Sequence, residues 1–305
     1  MRCRKGIAQL VVLWALMLLG TLAMSFSFAM RTEALAARNG LDAARAYYQA
    51  RTGINRAIAL LSFPVADNVL SEPLVGMEDD ASYETLIASE SGKIDVNLVS
   101  EGTLKEVLRN GGLSREEAES VGDSILDWKD QDDMPRPGGA ENAHYDSLPE
   151  PVKIRNGKLA MIDELLAIKG VTPDLYVRLL SRVFTVHGGS PLVDVNAAPR
   201  EVLLALPGFT PQAADALIAQ RRQNPFRTPA EITVFLGGQG VPLAAVPMLS
   251  TVKSSQVYTI ASVGKAGGKI ARSIECRVEI GSGSAKSVKI LRWADYVAIG
   301  EGIDR

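Results

Sequence analysis

The sequence predicts an α+β protein: one long N-terminal helix laid on an antiparallel sheet, with the sheet split in sequence by a large helical insert. Three observations carry this. An uncharged apolar run, Ile7–Ala29, passes into an amphipathic pattern that ends near Leu61. Segments of β-rich, alternating texture lie at residues 83–97 and again after Val257. Between them, from Leu98 to about Leu249, the texture is helical and punctuated by capping residues.

The apolar run holds one strongly polar side chain, Gln9. At 1.5 Å per residue it is long enough for a hydrocarbon core of about 30 Å. A short basic leader, Arg2, Arg4 and Lys5, precedes it and ends at Gly6. A cleaved secretory signal has an apolar core of about 7–15 residues and an A-x-A-like site behind it. This run is longer, and Ala23 and Ala29 define such a site poorly. Past it, Ala34, Ala37, Leu41, Ala44, Tyr48, Ile54, Ile58 and Leu61 recur at steps of mostly three or four, with no proline before Pro64. That spacing predicts one helix continuing out of a membrane span. Gly20, Gly40 and Gly53 weaken it by roughly 1 kcal/mol each relative to alanine. The basic leader places the N-terminus in the cytoplasm and the bulk of the chain outside.

After Leu61 come Pro64, Pro73 and an expected loop with Glu78, Asp79 and Asp80. Tyr83–Ala88 and Ser91–Asn97 read as short strands around a turn. Helices are expected near Thr103–Arg109, Ser114–Lys129, Ile162–Ile168, Pro173–Val183, Pro199–Leu206, Thr210–Arg222 and Pro229–Phe235. From Val257, VYTIASVG, KIARSIECRVEIG and VKILRWADYV read as closing strands, with GKAGGK and GSGSAK as hairpin turns. A loose internal repeat runs through the helical region: IDVN at 94–97 and VDVN at 193–196 each precede a helix. Ser114, Thr172 and Thr210 are N-cap candidates, and Pro173 and Pro211 sit at first helical positions.

Hydrophobic residues make up 47% of the chain, enough for a real core, and the formal charge is -2. Loss of the leader makes the remainder more acidic, which gives no global attraction to nucleic acid. The two cysteines are Cys3 and Cys276; with the leader gone, no internal disulfide can form. His144 and His187 have no metal-ligand spacing with each other or with Cys276. No phosphate-binding glycine loop and no G-x-S-x-G elbow occurs. Trp128 and Trp293 read as core anchors. Nothing here points to catalysis.

One acidic block stands out. Eleven Asp or Glu lie between Glu116 and Glu150, opposed only by Lys129 and Arg136. Asp127, Asp130, Asp132, Asp133 and Glu141 crowd a Pro- and Gly-rich loop. Such a crowd repels itself unless a cation sits in it, and oxygen-only ligands favour calcium. The spacing is not that of an EF-hand. The alternative is a solvated acidic loop with salt bridges to Lys129 and Arg136. The GVTP and GFTP turns resemble helix-hairpin-helix elements, where Arg221 and Arg222 could touch a phosphate. Each lacks the second hairpin glycine, and a packing module is the better reading.

The leader ending at Gly6, the uncharged Val11 five residues on, SGKIDVN, DWKDQDDMPRPGGAE at 127–141 and DVNAAPREVLLALPGFTP at 194–211 together resemble the minor pseudopilin K family of the type II secretion system. The resemblance runs through essentially the whole chain in the expected order. It implies a type IV pilin-like fold divided into a leader (1–6), a transmembrane segment (7–29), the rest of the N-terminal helix with the first strands (30–97), a helical insert of SAM-like, helix-hairpin-helix-like repeats (98–249) and closing strands (250–305). It implies cleavage between Gly6 and Ile7 by the prepilin peptidase, methylation at Ile7, and calcium in the insert. Implied partners are the minor pseudopilins I and J, other pseudopilins and the inner-membrane secretion assembly. Most pilin-like subunits carry a glutamate where this chain has Val11, a carboxylate costly in lipid that pairs with the amine of the next subunit up. A subunit at the tip has no neighbour above. The implied role is therefore a non-enzymatic tip subunit of a periplasmic pseudopilus. Two other classes stay open at this point: a membrane-anchored, periplasmic helix-hairpin-helix DNA-binding protein, and a secreted hydrolase behind an ordinary signal peptide.

Overall fold

The computed structural model describes residues 4–63, 72–268, 270–281 and 287–295. Met1–Cys3 of the expected leader, residues 64–71, Lys269, residues 282–286 of the expected GSGSAK turn and residues 296–305 lie outside these.

Helix α1 (Arg4–Leu61) is continuous. From Ile7 through Leu41 every residue is exposed, a length of about 50 Å. From there on it packs against a sheet through Ala46, Ala50, Ile54, Ala57 and Leu61, all buried. This stripe differs from the expected one: Leu41 and Tyr48 face solvent, and small alanines take the inner face. The reason lies at Gly53, where a Cβ would come 2.1 Å from Thr85 Oγ1 and 2.4 Å from Ser262 Oγ. The sheet approaches the helix backbone itself, and only small residues leave room.

The sheet is antiparallel throughout, in the order β1 (Leu74–Glu78), β2 (Ala81–Ser89), β7 (Val257–Ala266), β8 (Ile270–Ile280), β9 (Val288–Asp295). β2 and β7 are neighbours in space although the whole insert separates them in sequence. Their register runs from Ala81 opposite Ala266 to Ser89 opposite Tyr258. The expected loop at Glu78, Asp79 and Asp80 is instead the turn of a hairpin. Asp79 takes a positive φ of 53°, a conformation that short polar side chains tolerate, and this lets β1 fold back on β2. Cys276 on β8 is buried and unpaired by any disulfide.

The insert has its own hydrophobic core, separate from the one between α1 and the sheet. In order it comprises β3 (Ile94–Asp95), α2 (Glu101–Asn110), α3 (Arg115–Lys129), α4 (Asn142–Asp146), a 3-10 turn at Ile162–Ala167, α5 (Pro173–Leu175), a π-helical turn at Tyr176–Leu180, α6 (Ser181–Val183), β4 (Phe184–Thr185), β5 (Val193–Asp194), α7 (Arg200–Ala205), α8 (Pro211–Gln223), α9 (Pro229–Gly238), a 3-10 turn at Leu243–Met248 and β6 (Leu249–Ser250). Ser114 forms a full capping box with Glu117, and Thr172 and Thr210 cap as expected. The helix expected over Pro173–Val183 is present, with a π turn at Tyr176–Leu180 widening its middle. Two further differences are the short strands: β3 pairs with β4, and β5 with β6, both parallel. The IDVN and VDVN repeats therefore do the same thing. Each sends two residues into a parallel pair, and each Asp carbonyl then accepts from the residue four on, Val99 or Ala198.

Glu90 joins insert to sheet. It is 1% exposed. It accepts from Thr259 Oγ1 of β7 at 2.6 Å and from the Thr185 hydroxyl of β4. Arg277 of β8 stands 3.9 Å away and Lys93 3.6 Å away. Burial alone would raise its pKa; the charges of Lys93 and Arg277 and the two hydroxyls outweigh that and hold it below the ordinary carboxylate value.

Candidate metal centre

The acidic block folds around the C-terminal end of α3. Its buried face carries Asp123 and Asp127, one turn apart, together with Trp128. The ring of Trp128 meets Tyr145 of α4 edge to face at 5.2 Å. This contact brings the start of α4 back over the end of α3. Glu141, the N-cap residue just before α4, is thereby delivered to Asp127 and Asp130. One carboxylate oxygen from each of these three lies within 4.8 Å of the others.

Two more groups pin the connecting loop. Asp123 Oδ2 accepts from Gly138 N at 3.0 Å, and Lys169 Nζ donates to the carbonyls of Gly138 and Gly139 at 3.3 and 2.9 Å. A Cβ at Gly139 would sit 1.9 Å from Asp127 Oδ2, so any side chain there would push the buried carboxylate out of place. Lys105 reaches in from α2 and touches Asp123 at 2.6 Å, Glu101 at 2.7 Å and Glu119 at 2.9 Å. Its pKa is held above the ordinary lysine value by these hydrogen bonds, although burial works the other way.

The charges within the cluster do not balance. Asp127 is fully buried and Glu141 is 4% exposed. Arg136 compensates two members: its Nη1 lies 2.6 Å from Asp127 Oδ1 and 2.5 Å from Asp130 Oδ2. Both carboxylate oxygens of Glu141, and Asp130 Oδ1, are buried without a hydrogen-bond partner. Leaving such groups unpaired is costly. Burial first, then the charges of Asp127, Asp130, Asp133 and Asp132, push the Glu141 pKa up to about 7. A carboxylate set with orphaned, inward oxygens and excess negative charge fits a hard divalent cation.

Of the five expected ligands, the structure brings together Asp127, Asp130 and Glu141. Asp132 and Asp133 are exposed. Asp132 Oδ1 accepts from Met134 N at 2.9 Å, and Asp133 Oδ1 from Asn142 Nδ2 at 2.9 Å. Lys129 does not oppose the block as expected: its Nζ turns back to the Val96 carbonyl at 2.8 Å, and burial lowers its pKa. Lys105 and Lys169 were not legible as members of the site, because no local spacing links them to Asp123 or Gly138.

Arg221 is also turned inward. It donates to the carbonyls of Val195 and Ala198, both at 2.7 Å, a brace on the VDVN turn that agrees with the packing-module reading and leaves this guanidinium turned away from any phosphate. Gly6 and Ile7 lie in the first turns of α1, and Val11 one turn further on, exposed with the rest of that half. This helix is long and apolar enough to cross a membrane.

Comparison with known proteins agrees with this architecture. Residues 84–187 and residues 193–252 each match a family model described as type II secretion system (T2SS), protein K. The chain is 32% identical over 120 residues to the type II secretion system protein K of Pectobacterium carotovorum subsp. carotovorum, across 38% of this chain. It is 25% identical over 215 residues to a putative type II secretion system protein K of Escherichia coli (strain K12), across 63% of this chain. The matches span 37% and 66% of those two relatives' own lengths. The fold is similar to a chain in the crystal structure of the GspK-GspI-GspJ complex from the enterotoxigenic Escherichia coli type 2 secretion system, with a TM-score of 0.56 at 15% identity, over 87% of this chain and 98% of that one. That likeness bears out the long helix on an antiparallel sheet with a helical insert. The two matched segments together take in more than half of the sequence, and the chain belongs to the protein K family of the type II secretion system.

Proposed function

We propose that this chain is a non-enzymatic minor pseudopilin that caps the tip of the type II secretion pseudopilus, helps start its assembly and so serves export of folded proteins across the outer membrane. The observation that carries this reading is the division of α1. Its second half is consumed by its own sheet. Its first half presents about 50 Å of exposed, mostly apolar surface, which needs a bilayer below and other helices above to cover it. The inner membrane takes the segment 7–29, with the N-terminus cytoplasmic and the bulk periplasmic. The helices of the minor pseudopilins I and J, the companions named for the similar solved complex, cover the rest.

Val11 supplies no carboxylate for a subunit stacked above, and the insert adds bulk at the far end of the sheet. Both suit the end of a filament. The prepilin peptidase cuts between Gly6 and Ile7 and methylates Ile7. Calcium bound by Asp127, Asp130 and Glu141 ties the loop at 130–141 to α3, as a structural ion.

Intact mass of the mature protein, from cells with and without the peptidase, tests this. An N-terminus at Ile7 with one added methyl, present only with the peptidase, and co-purification with I and J are expected. An N-terminus near residue 30 would remove the exposed half of α1 from the product and end the tip reading.

A further inference from the structure

Arg136 stands where a bridging cation would stand. Its Nη1 is 2.6 Å from Asp127 Oδ1 and 2.5 Å from Asp130 Oδ2, inside or at the edge of the roughly 2.3–2.6 Å range at which calcium holds carboxylate oxygens. One guanidinium cannot serve three carboxylates, and Glu141 is the one left without a partner. The two ends of this arrangement differ in freedom. The Asp127 side chain is wholly buried, whereas the Arg136 side chain is 33% exposed and has a route to solvent. The path of the loop does not depend on the guanidinium. Arg136 N is held separately by Asp127 Oδ2 at 3.2 Å, and Gly138 and Gly139 are held by Asp123 and Lys169.

Resting on the calcium reading above, we propose that Arg136 is an internal competitor for the divalent cation, holding Asp127 and Asp130 together in the metal-free protein and leaving for solvent when the cation enters. Arg136 is a positioning residue in this scheme and not a ligand. It sets how much calcium the site needs, and it keeps the two buried or half-buried aspartates from repelling each other before calcium arrives. Loading also frees a guanidinium at the surface of the insert, beside Glu116 and Glu119, which line the same groove.

The test uses the detergent-solubilised full chain, stripped with a chelator and titrated with calcium chloride by calorimetry and by thermal melting. Wild type is compared with Arg136→Met and Arg136→Lys. Without metal, Arg136→Met melts below wild type. With calcium, it binds at least tenfold more tightly, because nothing has to be displaced. Arg136→Lys, a point charge that cannot match the bridging geometry, falls between the two. Where Arg136→Met does not fold without metal, Arg136→Lys is read alone, again expected to bind more tightly than wild type. Calcium binding by wild type with equal or weaker binding by the variants overturns the competition while leaving the calcium site standing. Absence of calcium binding by both wild type and variants overturns the site, and this inference with it.

Discussion

Asn97 and Asn196 hold equivalent places in the two halves of the insert. Each exchanges two hydrogen bonds with the backbone of one distant residue: Asn97 with Leu159 at 3.0 and 2.8 Å, Asn196 with Phe226 at 2.8 and 2.9 Å. In each, the backbone N–H goes to the Asp two residues earlier, Asp95 or Asp194. A cation from the following long helix then braces the Val carbonyl between them, Lys129 at Val96 and Arg221 at Val195. The insert is one turn-and-helix unit used twice.

This equivalence predicts matched losses. Asn97→Ala or Asn196→Ala leaves a backbone donor and acceptor unpaired, at about 1–3 kcal/mol. Asn→Asp at either site keeps the acceptor but sets a carboxylate oxygen against the carbonyl that the amide had served, so at neutral pH it costs at least as much. Urea unfolding of the four variants checks both statements. A neutral Asn97→Ala beside a damaging Asn196→Ala would show that the halves are not equivalent.

The junction at Glu90 makes an acid prediction. Its folded pKa is lowered, so its stabilising effect is present above its unfolded value of about 4.5 and fades as pH falls through the folded one. Glu90→Gln keeps the hydroxyl contacts but loses the charge opposite Arg277 and Lys93. A loss of about 1–3 kcal/mol at pH 7 is expected, shrinking as pH falls below about 4.5, where the unfolded wild-type chain takes up a proton that folded Glu90 resists. A deficit that stays constant from pH 7 to pH 3 would contradict this assignment.

Glu141 has the opposite sign. With its folded pKa near 7, the metal-free protein holds more protons folded than unfolded between about pH 4.5 and pH 7, and stability falls as pH rises through that window. Calcium requires the ionised form, so it abolishes this fall. At a hundredfold excess over its dissociation constant it adds about 2.7 kcal/mol, roughly 5–10 °C in melting temperature. Melting curves at pH 5 and pH 7.5, in chelator and in calcium, separate the two. Calcium stabilising equally at both pH values would count against Glu141 as a ligand.

What could be read from the sequence was local. The long helix, the N-caps at Ser114, Thr172 and Thr210, and the crowding of Asp127, Asp130 and Glu141 all follow from spacings within a few turns. What could not be read was set by distant partners. Phe184–Thr185 and Leu249–Ser250 are too short to show a period, and become strands only because Ile94–Asp95 and Val193–Asp194 lie beside them. Lys105 and Lys169 join the acidic site from 18 and 46 residues away from Asp123, with no motif to announce them. Arg221 looks like a surface cation in sequence and is a half-buried brace in space.

Gly53 shows how a local rule can be outweighed. By helix propensity alone, Gly53→Ala should stabilise α1 by roughly 1 kcal/mol. The added methyl, however, would land 2.1 Å from Thr85 Oγ1, 2.4 Å from Ser262 Oγ and 2.9 Å from Tyr83 Cδ2. The two hydroxyls are buried and bonded to each other at 2.7 Å, so neither can swing away without leaving the other unpaired. Overpacking of this kind costs about 1–3 kcal/mol, and a broken buried hydrogen bond adds about 1 kcal/mol or more. The net effect is destabilising, and α1 must lift from the sheet. Shortening the obstruction should shrink the loss: Gly53→Ala in a Thr85→Ala, Ser262→Ala background removes both oxygens, leaves only the Tyr83 ring edge at 2.9 Å to give way, and recovers part of the propensity gain. The four-member cycle, measured by thermal unfolding, decides it. Additive effects would mean that helix and sheet do not meet at Gly53.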